Sequence, residues 1–228
     1  MNALPVIAID GNAASGKGTL ARNLAKKIGF AHMDTGVLYR MVALRMIENG
    51  CAATDEKSAV EFARMMRATF DHRHHAEAKL KTDAVSQMTS RTSAFPAVRA
   101  EVLEVQREFA KNPPDLPGGA PAKGTVLDGR DIGTVVCPEA PVKFFVTAEA
   151  EARAFRRFKE LQMSGIIGTY EAVLAEMRER DERDASRAHA PMKPAPDAVI
   201  LDTTTMSSSE VLEKALSLVK EKLGISAA

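Results

Sequence analysis

Residues 6–20 read Val6-Ile7-Ala8-Ile9-Asp10-Gly11-Asn12-Ala13-Ala14-Ser15-Gly16-Lys17-Gly18-Thr19-Leu20. An apolar run ends at Ile9, a glycine-rich stretch fills 11–19, and helical spacing of apolar residues runs from Leu20 to Ile28. The order is therefore strand, loop, helix. Glycines let consecutive backbone N–H groups point into one cavity at the electropositive start of the helix, which suits a polyphosphate. Lys17 adds a mobile point charge where the β- and γ-phosphates would lie. The spacing is G-x4-G-K; Gly18 stands where many such loops carry Ser or Thr, and Thr19 follows one residue later. The alternative is a glycine-rich turn that binds nothing, and the flanking strand and helix weigh against it.

The 228 residues, 45% of them hydrophobic, suffice for one well-buried α/β domain, residues 1–228, with inserted segments. With 31 basic against 30 acidic residues there is no surplus charge to attract nucleic acid or a membrane, so neither is expected as a partner, and phosphate recognition must be local. Cys51 and Cys137 suggest neither a disulfide framework nor a metal-ligand pattern. The opening Met1-Asn2-Ala3-Leu4-Pro5 lacks the features of a leader, and no run is long enough to span a bilayer; a cytoplasmic, monomeric protein is expected.

Further strands are expected at Thr125–Leu127, Val142–Val146 and Ala198–Leu201, with a weaker one at Phe30–Met33. Helical patterns cover roughly 17–28, 36–49, 55–66, 97–110, 150–163, 170–187 and 208–223. Strands alternating with helices imply a doubly wound parallel α/β sheet, whose ligand crevice lies beyond the carboxyl ends of the strands. Asp10, Asp34, Asp128 and Asp202 all fall near such ends. The segment from Thr69 to Pro96 is polar with weak periodicity and reads as an insertion over the nucleotide face. The stretch from Asn112 to Pro121, rich in Pro and Gly, is a surface connection.

A second cluster, Asp128-Gly129-Arg130-Asp131, comes straight off the third long apolar run. There Asp128 could hold Mg2+ through water, and Arg130 could aim a planar fork of donors into the crevice. A polar turn whose Asp and Arg pair with one another is the alternative. In the run from Glu176 to Arg187, Arg180, Asp184 and Arg187 share one helix face at i, i+4 and i+7, although a solvated helix held by charge pairs explains the same composition. Arg153, Arg156 and Arg157 are phosphate ligands or surface charges. Thr35, Tyr39 and Arg40 stand at a helix start that could receive an acceptor phosphate; an N-cap on a core helix would explain Thr35 alone. His72, His74 and His75 match no firm metal spacing and read as loop residues.

These clusters, in this order, resemble the cytidylate kinases of the nucleoside monophosphate kinase family. The carriers are GNAASGKGT, DTGVLYR, SAFPAVR, VLDGRDIGTVVCPEAPVKFFVTA, RRFKELQ and RERDERDASRAHAPMKPAPDAVILDTT. DGRDIGTVV together with RDxRDxxR is the specific combination; the phosphate loop alone is not. The resemblance implies transfer of the γ-phosphoryl of ATP to CMP or dCMP in pyrimidine nucleotide metabolism. It implies MgATP as donor, held by Gly11, Asn12, Ala13, Ala14, Ser15, Gly16, Lys17, Gly18 and Thr19 with Arg153 and Arg157. Mg2+ is implied at Thr19 and Asp128 through water. Thr35 and Tyr39 would touch the acceptor nucleotide, with Arg40, Arg130 and Arg187 on its phosphate, Arg180 and Asp184 on its sugar, and Ser90, Arg99 and Asp131 on cytosine. Lys17, Asp128, Arg130, Arg157, Arg180 and Arg187 form the implied catalytic set. Residues near 55–96 would make the monophosphate-binding insertion and 157–170 a short lid, and the loop from Lys193 to Ala198 would hold adenine. The insertion departs from the family pattern, its Thr69–Thr89 stretch being abbreviated.

The base assignment has a chemical reason: cytosine offers an amine donor at N4 and an acceptor at N3, and uracil reverses both. Two rivals stay open, a kinase of the same fold acting on another acceptor and a nucleotide-dependent switch or binding module. The DGRD turn argues against the first. The lack of an N-K-x-D sequence, and an Arg-rich second site that would have no ligand, argue against the second.

Overall fold

In a computed structural model, which describes residues 4–71, 78–163, 165, 166 and 168–225, five parallel strands form one sheet. Their order is β2 (Ala31–Asp34), β3 (Thr125–Gly129), β1 (Val6–Gly11), β4 (Val142–Thr147) and β5 (Val199–Asp202). β1 is therefore central, with Ile9 opposite Asp128 on one side and Phe144 on the other. The central strands β1 and β3 are buried almost throughout because both of their faces are covered, whereas the edge strand β5 leaves Ile200 exposed.

Side-chain alternation divides them between two cores. Ile7, Ile9, Val126, Phe144 and Val146 pack against α1 (Lys17–Ile28) and α8 (Ser208–Leu223). Ala8, Met33 and Leu127 face α2 (Gly36–Glu48), α3 (Glu56–Thr69) and α5 (Pro96–Lys111). A buried side chain such as Phe144 or Leu127 contributes roughly 1.5–3 kcal/mol of transfer free energy. A third, smaller cluster joins α6 (Ala150–Met163) and α7 (Tyr170–Ser186) to Ala13 and Ala14 of the loop after β1. The helices begin at side-chain caps where the sequence supplies them: Asp55 for α3, Thr169 for α7, and a reciprocal Ser207–Glu210 box for α8.

The sequence leaves residues 69–96 without a regular element, and here the structure differs. A 3₁₀ turn, Ala78–Lys81, leads into α4 (Asp83–Thr92), capped by Thr82. The inward positions of α4 include Thr89, Ser90 and Thr92 beside Val85, so its buried face lacks the apolar rhythm that marks a helix. A single wide helical turn, Ile132–Val136, also follows β3. His72, His74 and His75 lie outside the described residues. Among the described residues no helix is long and apolar enough to cross a membrane.

Candidate active site

The loop Gly11–Gly16 crosses from the carboxyl end of β1 to the start of α1, and its first residue can only be glycine. A Cβ on Gly11, at φ 145°, would stand 2.0 Å from the carbonyl oxygen of Val146. Above the loop lies a cavity of about 550 Å³, and its wall carries Lys17, Arg22, Arg40, Arg130, Arg156, Arg157 and Arg180.

Several of these cations are buried close to one another. Lys17 donates to the Asn12 carbonyl at 3.3 Å, and burial, with Arg130 nearby, pushes its ammonium down to about 7. Burial and Arg130 also bring the Arg180 guanidinium down to about 10. The Nε donors of Arg40, Arg180 and Arg187 are buried without a partner. A buried donor left unmatched costs about 1–3 kcal/mol, more when charged, so those of Arg40 and Arg180, both on the cavity wall, suit an anionic ligand there.

The turn after β3 sends its charges across the molecule rather than into each other. Arg130 Nε donates to Asp184 Oδ2 at 3.0 Å, and Arg99 Nη2 donates to Asp131 Oδ2 at 2.5 Å. Arg187 donates to Asp184 Oδ1, and its Nη2 also reaches Ser93 Oγ at 3.0 Å. Burial raises the Asp184 carboxyl, but Arg130, Arg187 and Arg180 outweigh it and hold it below the ordinary value. The three-residue row read from α7 is thus one ion cluster, of which Arg180 reaches the cavity wall while Asp184 and Arg187 lie behind it, whereas Arg178 is exposed and paired with Glu151 at 2.5 Å. Tyr39 lies beneath Arg99, whose guanidinium carbon is 5.5 Å from the ring centre, and burial lifts its phenol to about 12, so it stays protonated.

Several expected residues take other positions. Thr35 does not cap α2: its hydroxyl and its N–H both go to the Asp128 carbonyl, and Asp34 Oδ1 accepts from Gly36 N instead. Ser90 is buried and accepts from Arg183 Nε at 3.3 Å. Arg153 is not on the cavity wall. Its guanidinium is occupied by the Ala148 carbonyl at 2.8 Å and by Asp181 at 2.7 Å, behind the loop. Arg157 does line the cavity and pairs with Asp83 of α4 at 2.7 Å, joining α6 to the insertion. The Lys193–Ala198 loop is also absent from the wall; Thr203, Met206, Ser208 and Val211, where β5 passes to α8, stand there instead. Asp202 caps that passage by accepting from Thr204 N and Oγ1.

His32 escaped the sequence reading because β2 is short, and its Nε2 lies 2.7 Å from Asp128 Oδ1. That leaves Oδ2 of Asp128 toward the loop, 3.6 Å from where a Cβ on Gly18 would stand. Ser93 was missed too, although it opens the SAFP stretch; its hydroxyl meets Arg187 and its carbonyl accepts from Arg99 at 3.2 Å.

A family profile described as cytidylate kinase matches residues 7–221. The chain belongs to the cytidylate kinase family. A cytidylate kinase of Paramagnetospirillum magneticum is 49% identical over 217 residues, covering 95% of this chain and 98% of that protein. One from Rhodospirillum rubrum is 50% identical over the same span of 217 residues and shares of 95% and 98%; one from Azorhizobium caulinodans is 47% identical over 219 residues, 96% of this chain and all of that one. Among solved structures, a Thermus thermophilus protein superposes with a TM-score of 0.52 at 23% identity, over 97% of this chain and 99% of its own, a likeness of fold. The cytidylate kinase family thus spans the loop, the DGRD turn and the α7 cluster alike.

Proposed function

We propose that the protein transfers the γ-phosphoryl group of MgATP to CMP and dCMP, giving ADP and the cytidine diphosphate, with no covalent intermediate on the protein. The observation that carries this reading is the convergence of Lys17, Arg40, Arg130 and Arg180 on one cavity, with buried guanidinium donors unmatched, in a chain of the cytidylate kinase family.

Phosphoryl transfer needs spread negative charge stabilised and two oxygens held in line, so positioning and electrostatics carry the chemistry. The Gly11–Thr19 backbone cradles the donor phosphates and Lys17 follows the transferring group. Arg157, on α6, lies within reach of the same cavity. Arg40, Arg130 and Arg187 hold the acceptor phosphate, while Arg180 and Asp184 meet the sugar. Asp131, aligned by Arg99, accepts from the cytosine amine, with Ser90 and Tyr39 completing that wall. Residues near 55–96 hold the monophosphate and 157–170 close over the donor.

Mg2+ fits the residues present: Asp128 has one oxygen taken by His32 and one toward Gly18, Thr19 is exposed at the loop end, and among the described residues no cage of three or more His, Cys, Asp or Glu competes. An ion held mainly by water and phosphate is what such a donor set suits. When bound it neutralises charge between the β- and γ-phosphates. The balance of 31 basic and 30 acidic residues favours small-molecule substrates over nucleic acid, and the reading includes a monomer acting in the cytoplasm.

The test is incubation with MgATP and each of CMP, dCMP, UMP, AMP and GMP, with the diphosphate separated and quantified. Fastest turnover of CMP and dCMP is expected. Equal or faster turnover of AMP or UMP, or ATP hydrolysis with no acceptor phosphorylated, overturns the reading.

A further inference from the structure

The turn that carries Asp131 is held at both ends by side chains outside the substrate-facing motifs. Asp10 is 3% exposed, and its two carboxylate oxygens each accept one backbone N–H, Oδ1 from Ile132 and Oδ2 from Gly133, both at 2.7 Å. At the other end Arg107 of α5 donates to the carbonyls of Val135 at 3.0 Å and Val136 at 3.3 Å. A carboxylate on the first N–H groups and a guanidinium on the last carbonyls complement the free ends and the dipole of this one helical turn.

Sequence position gives the arrangement its meaning. Asp10 immediately precedes Gly11, and Ile132 immediately follows Asp131. One carboxylate therefore joins the chain entering the phosphate loop to the chain leaving the residue assigned to the base. Keeping that carboxylate buried is costly: burial lifts it to about 6 even with two N–H donors upon it. Both of its oxygens are taken by the turn's own N–H groups, so the cost is offset by what it holds in place.

We propose that Asp10 is a positioning residue that sets the register of the base-reading turn and, through Asp131, the preference for cytosine over uracil. This rests on the assignment of Asp131 to the base. A hydrogen-bonding carboxylate discriminates only while its oxygen stays within a fraction of an ångström of its place, and Asp131 hangs from the residue whose N–H Asp10 captures. In Asp10→Asn an amide NH2 replaces one acceptor and meets a backbone N–H, donor against donor, so the turn moves away.

The experiment compares kcat and KM for CMP, UMP and ATP in the wild type, Asp10→Asn and Asp131→Ala, with thermal melts to verify folding. In Asp10→Asn the CMP over UMP ratio of kcat/KM should fall about fivefold or more, mostly through KM for CMP, while KM for ATP moves less than about threefold. Asp131→Ala should lower the ratio by about tenfold. If Asp131→Ala leaves the ratio unchanged, the base assignment fails and this inference with it. If Asp131→Ala lowers the ratio and a folded Asp10→Asn does not, or loses both substrates equally, Asp10 only supports the fold and the inference alone is overturned. Should Asp10→Asn not fold, Gly133→Ala decides. Its Cβ would stand 3.1 Å from Lys143 Cδ and 3.4 Å from Asp10 Oδ2, pushing the same N–H aside. It should narrow the ratio in the same direction, and an unchanged ratio overturns the inference.

Discussion

ATP binding should draw a proton from solution at pH 8, and Lys17 is where it goes. Burial and Arg130 hold this ammonium at about 7, well below its ordinary 10.5. At pH 8 only about one-tenth of it is then charged. A polyphosphate in the loop restores an opposite charge at contact distance and returns the group to full protonation, so binding should take up a large part of one proton per nucleotide. The sign follows from the direction of the shift: a lowered pKa in the free state means that the bound state holds more protons, between about pH 7 and 10.5. Arg180, at about 10, remains charged at pH 8 and adds almost nothing, while Asp10, at about 6, is already ionised. Titration calorimetry in two buffers of different ionisation enthalpy gives the proton count directly. A Lys17→Arg variant, charged at every pH, should bind with no such uptake. Uptake below about 0.3 proton in the wild type, or equal uptake in Lys17→Arg, would refute the account of Lys17.

Arg187→Ala should lower kcat/KM for CMP by about a hundredfold, because it removes a charged donor proposed for the acceptor phosphate and a partner of Asp184. Arg178→Ala, which breaks only an exposed pair with Glu151, should stay within about twofold in the same assay. His32→Phe should raise the Mg2+ concentration for half-maximal rate about threefold or more, since Asp128 loses the partner that orients it; an unchanged requirement would separate His32 from the metal. Ser207→Ala should lower unfolding stability by about 1 kcal/mol in denaturant melts, with both KM values unchanged, by removing the α8 cap.

The strand, loop and helix of residues 6–28 were legible because apolar rhythm, glycine placement and helix start all agree there. α4 was not. Thr89 and Thr92 face inward and satisfy their hydroxyls on the carbonyls of Val85 and Met88 within the helix, which makes a buried face look polar in the sequence. In the candidate site the charged motifs could be found but not their partners. Asp128-Gly129-Arg130-Asp131 admits pairing within the turn, and only the tertiary placement of α5 and α7 gives Asp131 to Arg99 and Arg130 to Asp184. Arg153 and Arg157 show the same limit, one turn apart on α6. The first points behind the loop to Asp181 and the second stands over the cavity, a distinction set by the direction of α7 rather than by spacing.

Asp184 engages Arg130 and Arg187 together, the two guanidinium groups proposed for the acceptor phosphate. Under that proposal, capture of a substrate phosphate would be an exchange of one oxyanion for another, with little net gain in charge neutralisation. A bare inorganic phosphate, bringing nothing else, would compete poorly with the resident carboxylate, whereas a nucleotide would bring a sugar for Asp184 and a base for Asp131 and Arg99. Such an exchange would favour the whole nucleotide over the bare anion that its phosphate resembles.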